Sequence, residues 1–81
     1  MKRGNLEVIF LTTEKMIFQG RAESVILPGE KGVFEVMPFH KNFFSRLLSG
    51  WVIIDKKEYP LKRGIVKVDR NRLTIIGEPA T

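Results

Sequence analysis

Apolar residues along this chain come in short bursts separated by polar or glycine-containing breaks. Leu6–Thr12 carries Val8, Ile9, Phe10 and Leu11 in succession. The run is rich in strand formers and too short for a helix. Met16-Ile17-Phe18 is a second burst, with Gln19-Gly20 reading as a turn. From Arg21 to Leu27 the first half alternates, Arg21 and Glu23 on one face, Ala22 and Ser24 on the other. The second half is continuous (Val25-Ile26-Leu27), as in a strand that enters a core from an edge. Pro28-Gly29 predicts a tight turn, because proline presets its φ and glycine tolerates a positive one. Gly32 closes that loop, and Val33–Met37 is a further short strand stopped by Pro38. In Asn42–Leu48 the spacing of Phe43, Phe44, Leu47 and Leu48 suits one helical turn.

Beyond Gly50, the stretch Trp51–Ile54 predicts a strand, Asp55-Lys56-Lys57 a hairpin tip, and Glu58–Arg63 the returning strand. Pro60 marks an edge or a bulge there, and Gly64 predicts a break. Ile65–Asp69 alternates, Arg70-Asn71 is a two-residue turn, and Leu73–Ile76 ends the set. Strands recurring every roughly 8–12 residues indicate an all-β sandwich or barrel. The chain reads as one domain over 1–81, with 1–5 and 77–81 as frayed tails.

Length and composition narrow the function classes. Eighty-one residues leave no room for a second core. With no cysteine there are no disulfides, thiolate nucleophiles or Cys-ligated zinc. No apolar run approaches a membrane-spanning helix, and Leu6–Leu11 is too short and too polar for a signal-peptide core. The net charge of +5 is uneven: residues 1–40 hold five basic and five acidic side chains, residues 41–81 nine and four. A basic second half fits phosphates, an anionic membrane surface or an acidic protein face, and equally a solvated surface.

Candidate chemistry is sparse. His40 is the only histidine, and neither it nor Ser24, Ser45 or Ser49 sits in a Gly-x-Ser-x-Gly elbow. Glu7, Glu14, Glu23, Glu30 and Glu35 are spread out rather than paired as an acid/base couple would be. Pro28-Gly29-Glu30-Lys31-Gly32 has two glycines and a lysine but not the phosphate-loop order. No catalytic residue, metal or cofactor is predicted. Most aromatics fall in apolar runs and read as core. Phe39, between Pro38 and His40, reads as an exposed contact in a loop.

Five blocks in order resemble the N-terminal β-sandwich domain of the epsilon subunit of F-type ATP synthase (delta in mitochondrial naming). They are Val8-Ile9-Phe10-Leu11-Thr12-Thr13-Glu14-Lys15 with Ile17-Phe18 and Gly20, then Ala22-Glu23-Ser24-Val25-Ile26-Leu27-Pro28-Gly29. Gly32-Val33-Phe34-Glu35-Val36-Met37-Pro38-Phe39-His40 follows, then Leu47-Leu48-Ser49-Gly50, and Gly64 to Val68 with Leu73 to Ile76. Four positions in three places depart from the family pattern. Thr13 stands for a proline, Lys41-Asn42 for Ala-Pro, and Arg63 for a small residue before Gly64.

The resemblance implies a small, jelly-roll-like two-sheet β-sandwich without the C-terminal helical hairpin that many members carry. The chain would be either a short member or one cut before that hairpin, with no ATP site and no inhibitory helix. It further implies a non-catalytic central-stalk subunit that links the gamma subunit to the ring of c subunits. Such a subunit couples ion translocation to ATP synthesis or hydrolysis. It would be peripheral, on the cytoplasmic face of a bacterial membrane, with no homo-oligomer. Thr12, His40 and Ser45 match positions toward gamma. Glu30, Lys31, Val33, Phe39 and Lys41 are assigned to the c ring. The alternative is a small basic β-barrel binding single-stranded nucleic acid, whose signature would be clustered surface aromatics among Lys and Arg.

Overall fold

A computed structural model of the chain describes residues 5–80. Every regular element in it is a strand: β1 (Leu6–Leu11), β2 (Met16–Ala22), β3 (Val25–Gly29), β4 (Gly32–Val36), β5 (Phe43–Leu47), β6 (Gly50–Ile54), β7 (Lys57–Asp69) and β8 (Arg72–Pro79). Hydrogen bonding runs β2-β1-β8-β7-β5-β3-β4, with β6 bonded to β3 and β7. All described pairs are antiparallel except β1 with β8, where Val8 meets Leu73 and Phe10 meets Ile75.

The long strand β7 belongs to both layers of the sandwich. Its first part pairs with β6 from Lys57 to Leu61, and its second with β5 from Gly64 to Val68. Its other edge is held by β8. The register shifts between Leu61 and Arg63, so Lys62 is the extra residue of a bulge, the device that bends a strand out of plane. β5 and β6 turn the same corner on the other side, where the Leu48 N–H donates to the Pro28 carbonyl. The result is two layers, β2-β1-β8-β7-β5 and β4-β3-β6-β7. The smallest dimension of the molecule, 20 Å, matches two sheets about 10 Å apart.

Alternation along the strands decides what fills the space between. Leu6, Val8 and Phe10 of β1, Val66 and Val68 of β7, and Leu73 and Ile75 of β8 point inward and are fully buried. They meet Val25, Leu27, Val36, Val52, Ile54 and Leu61 from the second layer in one cluster. Tyr59 closes one end, edge-on to Phe10 at 6.1 Å and tilted on Phe18 at 6.3 Å. Phe34 and Phe43 meet edge to face at 5.7 Å at the other.

Several sequence expectations are corrected. Residues 42–48 are not a helical turn but contain β5, because Phe43 and Leu47 pair across to Val68 and Gly64 on the long strand. Gln19-Gly20 is no turn; β2 continues to Ala22, since pairing with Val8 and Ile9 satisfies both backbones. The turn comes instead at Glu23-Ser24. There the Asp55 carboxylate accepts the N–H groups of Glu23 (2.9 Å) and Ser24 (3.2 Å), while the Asp55 N–H donates to the Ser24 carbonyl. Pro28 and Gly29 lie inside β3, with the reversal at Glu30-Lys31. Gly64 does not break the chain, and β8 does not fray at Gly77. Gly64 faces Gly77, Arg63 faces Glu78 and Leu61 faces Pro79, so the ladder carries both strands onward. Residues 1–4 and 81 of the expected tails lie outside the described residues. The Arg70-Asn71 turn is found, both residues at positive φ (53° and 63°) as a type I′ hairpin requires.

The Asp55 clamp joins two corners remote in sequence. Asp55→Ala leaves two corner N–H groups without their acceptor, and is expected to lower stability by about 1–2 kcal/mol. Asp55→Asn, which keeps the acceptor oxygen and tolerates the positive φ, should recover most of it. Chemical denaturation of the three proteins compares them directly.

Candidate partner interface

The chain's exposed apolar side chains make up most of the candidate site. On the outer face of the five-stranded layer, cross-strand partners line up Arg46, Ile65, Ile76, Leu11 and Met16 from β5 to β2. Ile76 and Met16 are each 46% exposed, and Ile65 and Leu11 are half-buried. The row exists because β7, β8 and β1 place their buried residues on the alternate positions. Ile65, Ile76 and Leu11 therefore share the opposite face. One register step along, the next row is mixed: Phe44, Lys67, Thr74, Ile9 and Gln19. The far end of the face is charged, with Arg72 bonded to Glu7 at 3.0 Å and Asp69 opposite Arg72. The face is thus graded from apolar to ionic.

Thr12 sits at the apolar end, in the turn after β1. Its hydroxyl accepts the N–H groups of Glu14 (3.2 Å) and Lys15 (3.0 Å), and donates to the Lys15 carbonyl. It shapes the turn that carries Met16. Glu30 and Lys31 form the β3–β4 reversal at the β5 side of the same end, with Glu30 held by Arg46 at 2.8 Å. Val33 is exposed beside them, and Ser45, Phe43 and Phe44 line the same shallow recess. The Ser45 hydroxyl donates to the Arg46 carbonyl.

Phe39, His40 and Lys41 lie elsewhere, at the opposite end of β4. The His40 Nδ1 donates to the Lys41 carbonyl at 2.8 Å, and its ring stands on Phe43 at 5.1 Å. His40 and Ser45 are each engaged with backbone carbonyls rather than with one another. The structure therefore brings Ser45 together with Glu30, Lys31 and Val33. It leaves Thr12 at the far side of the sheet, and sets His40, Phe39 and Lys41 in a separate group.

The sequence reading passed over the apolar row and Trp51 as contact residues. Ile65 and Ile76 look like core residues in a linear pattern. Only the register across four strands shows that they face out together. The signal was present in the parity of Ile65 against Val66 and Val68, and of Ile76 against Ile75. The exposed aromatics do not build a stacking platform. Phe44 lies on the outer face of β5, Trp51 opposite Pro60 in the other layer, and Phe39 on a turn.

At the layer crossing, the Arg63 guanidinium hydrogen-bonds Glu78 and holds its carboxyl below the usual carboxylate value of 4.5. This pair pins the two strands just beside the Gly64–Gly77 contact.

Residues 5–81 match the family described as "ATP synthase, Delta/Epsilon chain, beta-sandwich domain". Among curated proteins, the chain is 36% identical over 80 residues to the ATP synthase epsilon chain of Nitratiruptor sp., covering 93% of this chain and 62% of the relative. It is 34% identical to the chloroplastic epsilon chain of Tetradesmus obliquus, covering 94% and 59%. It thus spans about three-fifths of these relatives. The fold is shared with a chain in the cryo-EM structure of the Euglena gracilis mitochondrial ATP synthase (OSCP/F1/c-ring), with TM-score 0.83 at 14% identity, covering 90% of this chain and 50% of that one. A chain in the Tetrahymena thermophila mitochondrial ATP synthase central stalk and c-ring gives 0.80 at 15%, covering 95% and 66%.

Proposed function

The chain belongs to the delta/epsilon-chain β-sandwich family of ATP synthase, and on that premise we propose that it is an adhesive element of the central stalk. It would join the gamma subunit to the ring of c subunits, turning with both and having no turnover of its own. The observation that carries this reading is the apolar row Ile65–Ile76–Leu11–Met16. It is a half-exposed stripe across one end of the five-stranded layer, where a solvated face would alternate polar groups. A flat apolar stripe with a polar surround is the anatomy of a protein-binding patch. We assign it, with Thr12 at its end, to the gamma subunit. The hairpin of Glu30, Lys31 and Val33 projects from the β5 end of the stripe and is assigned to the c ring; Ser45, which the resemblance places toward gamma, lies beside it. The same placement makes the protein peripheral to the membrane, on the side where the stalk stands.

The physical requirement is adhesion on a stiff body. The strands are cross-bonded and the core is continuous, so a force applied at the hairpin reaches the stripe without an intervening hinge. The reading is tested by co-purifying the chain with the gamma subunit of its own organism, followed by native mass spectrometry at moderate salt. A one-to-one complex that survives salt is expected. Absence of that complex, with binding to single-stranded nucleic acid that weakens steeply with salt, would replace the reading with the nucleic-acid one.

A further inference from the structure

The turn Met37-Pro38-Phe39-His40 places a bulky aromatic where the backbone calls for glycine. The His40 N–H donates to the Met37 carbonyl at 3.2 Å, Pro38 takes the second position, and Phe39 takes the third with φ 66°. A proline followed by a positive φ is the pattern of a type II turn, whose third residue is normally Gly or Asn because a Cβ there crowds the backbone. Nothing in the core repays this strain. The Phe39 side chain is 73% exposed and is not among the residues packed on the core cluster.

The surroundings fix the turn from three sides. The Phe39 N–H donates to the Asn71 side-chain oxygen at 2.8 Å, and Asn71 donates in turn to the Asn5 carbonyl at 2.7 Å. The Arg70 N–H donates to the Asn42 side chain at 2.9 Å. His40 stands on Phe43. A left-handed aromatic held out of the core by this many contacts is a strained feature kept for what it touches.

We propose that Phe39 is a pre-positioned aromatic anchor that enters an apolar pocket rimmed by carboxylates on a partner protein. This deepens the stalk reading above and rests on it. The acidic rim follows from charge complementarity. Lys41 and Arg70 flank the turn, and among the described residues neither is in an ion pair. The adjacent Asp69 lies in register opposite Arg72, which is itself paired with Glu7, so Lys41, Arg70 and Asp69 together leave the turn with a net positive charge. Holding the ring ready lowers the ordering cost of binding, which is how rigid aromatics become dominant contacts.

The anchor makes stability and binding move in opposite directions on one substitution. Phe39→Gly removes the strain and is expected to raise the melting temperature by about 4 °C. The same change should weaken binding to the gamma subunit and c ring of the same organism by about tenfold or more. Phe39→Trp, which keeps an aromatic in the same strain, should leave both near wild type. A Phe39→Gly protein that is more stable but binds equally well overturns the anchor and leaves the stalk reading standing. A lower melting temperature for Phe39→Gly overturns the strain argument. If the wild-type chain binds neither subunit, the stalk reading and the anchor fall together. Loss on Phe39→Gly of binding to vesicles of mixed phosphatidylcholine and phosphatidylserine, with subunit binding unchanged, replaces the protein pocket by a lipid surface.

Discussion

Gly64→Val is expected to leave the domain without a stable folded state in water at room temperature. A Cβ at Gly64 would stand 2.7 Å from the Ile76 carbonyl oxygen and 2.9 Å from the Gly77 Cα. A Cβ at Gly77 would stand 2.7 Å from the Arg63 carbonyl oxygen. The two glycines face one another where β7 bends from one layer to the other, so the neighbouring backbones approach more closely than any side chain allows. The obstruction is backbone and cannot rotate aside. Overpacking of this kind costs about 1–3 kcal/mol for a methyl, and more for a branched side chain that also disrupts ladder hydrogen bonds. A chain of this size has only about 4–12 kcal/mol in total. Gly64→Ala should therefore lose about 2–3 kcal/mol and melt about 10–15 °C lower. Gly20→Ala is the matched control, since its Cβ meets only the Phe18 ring at an ordinary 3.5 Å. Circular dichroism melts of the three variants decide the matter. Equal melting of Gly64→Ala and Gly20→Ala would show that the strands can separate at no cost.

Ile76→Lys is expected to abolish the complex with the gamma subunit while the domain stays folded. Ile76 lies at the centre of the apolar row, between Ile65 and Leu11, and its side chain points away from the core. A lysine there keeps an aliphatic stem on the sheet but sets an ammonium where a partner would be dry. Central contacts of this type are worth about 2–4 kcal/mol, so affinity should fall by roughly 30- to 1,000-fold. Thr74→Lys, one row away toward the ionic end, should matter far less. Size-exclusion chromatography of each variant mixed with the gamma subunit separates the two. If Ile76→Lys binds as wild type, the stripe is not the gamma-facing surface.

The fold class was legible in the chain because short apolar bursts at regular spacing admit few alternatives. Boundaries were less so, for a reason visible at the glycines. Gly20, Gly29, Gly64 and Gly77 all lie inside strands. Gly64 and Gly77 mark close backbone approach rather than a turn, and composition alone does not distinguish the two. The helical reading of residues 42–48 failed because Phe43 and Phe44 are both apolar, yet Phe43 packs toward Phe34 while Phe44 is exposed. An exposed aromatic imitates a helical stripe. The blocks at Ala22–Gly29 and Gly32–His40 carried the family resemblance, because their order survives such ambiguities. The site was only partly readable. Single residues such as Phe39 stand out by their neighbours in sequence, whereas the row through Ile76 exists only once four strands are in register.

A strand that runs through both layers changes what a rotating load would have to break. Two sheets held together by side chains alone can slide across their oily interface, a process with little resistance once begun. Here β7 is covalent from Lys57 to Asp69 and is bonded along both edges by β5, β6 and β8. Relative sliding of the layers would pull along that backbone and set its ladder hydrogen bonds in shear, where they resist together rather than opening one after another. The bulge at Lys62 then acts as the corner of a bracket, and twist delivered to one layer arrives at the other with little angular lag.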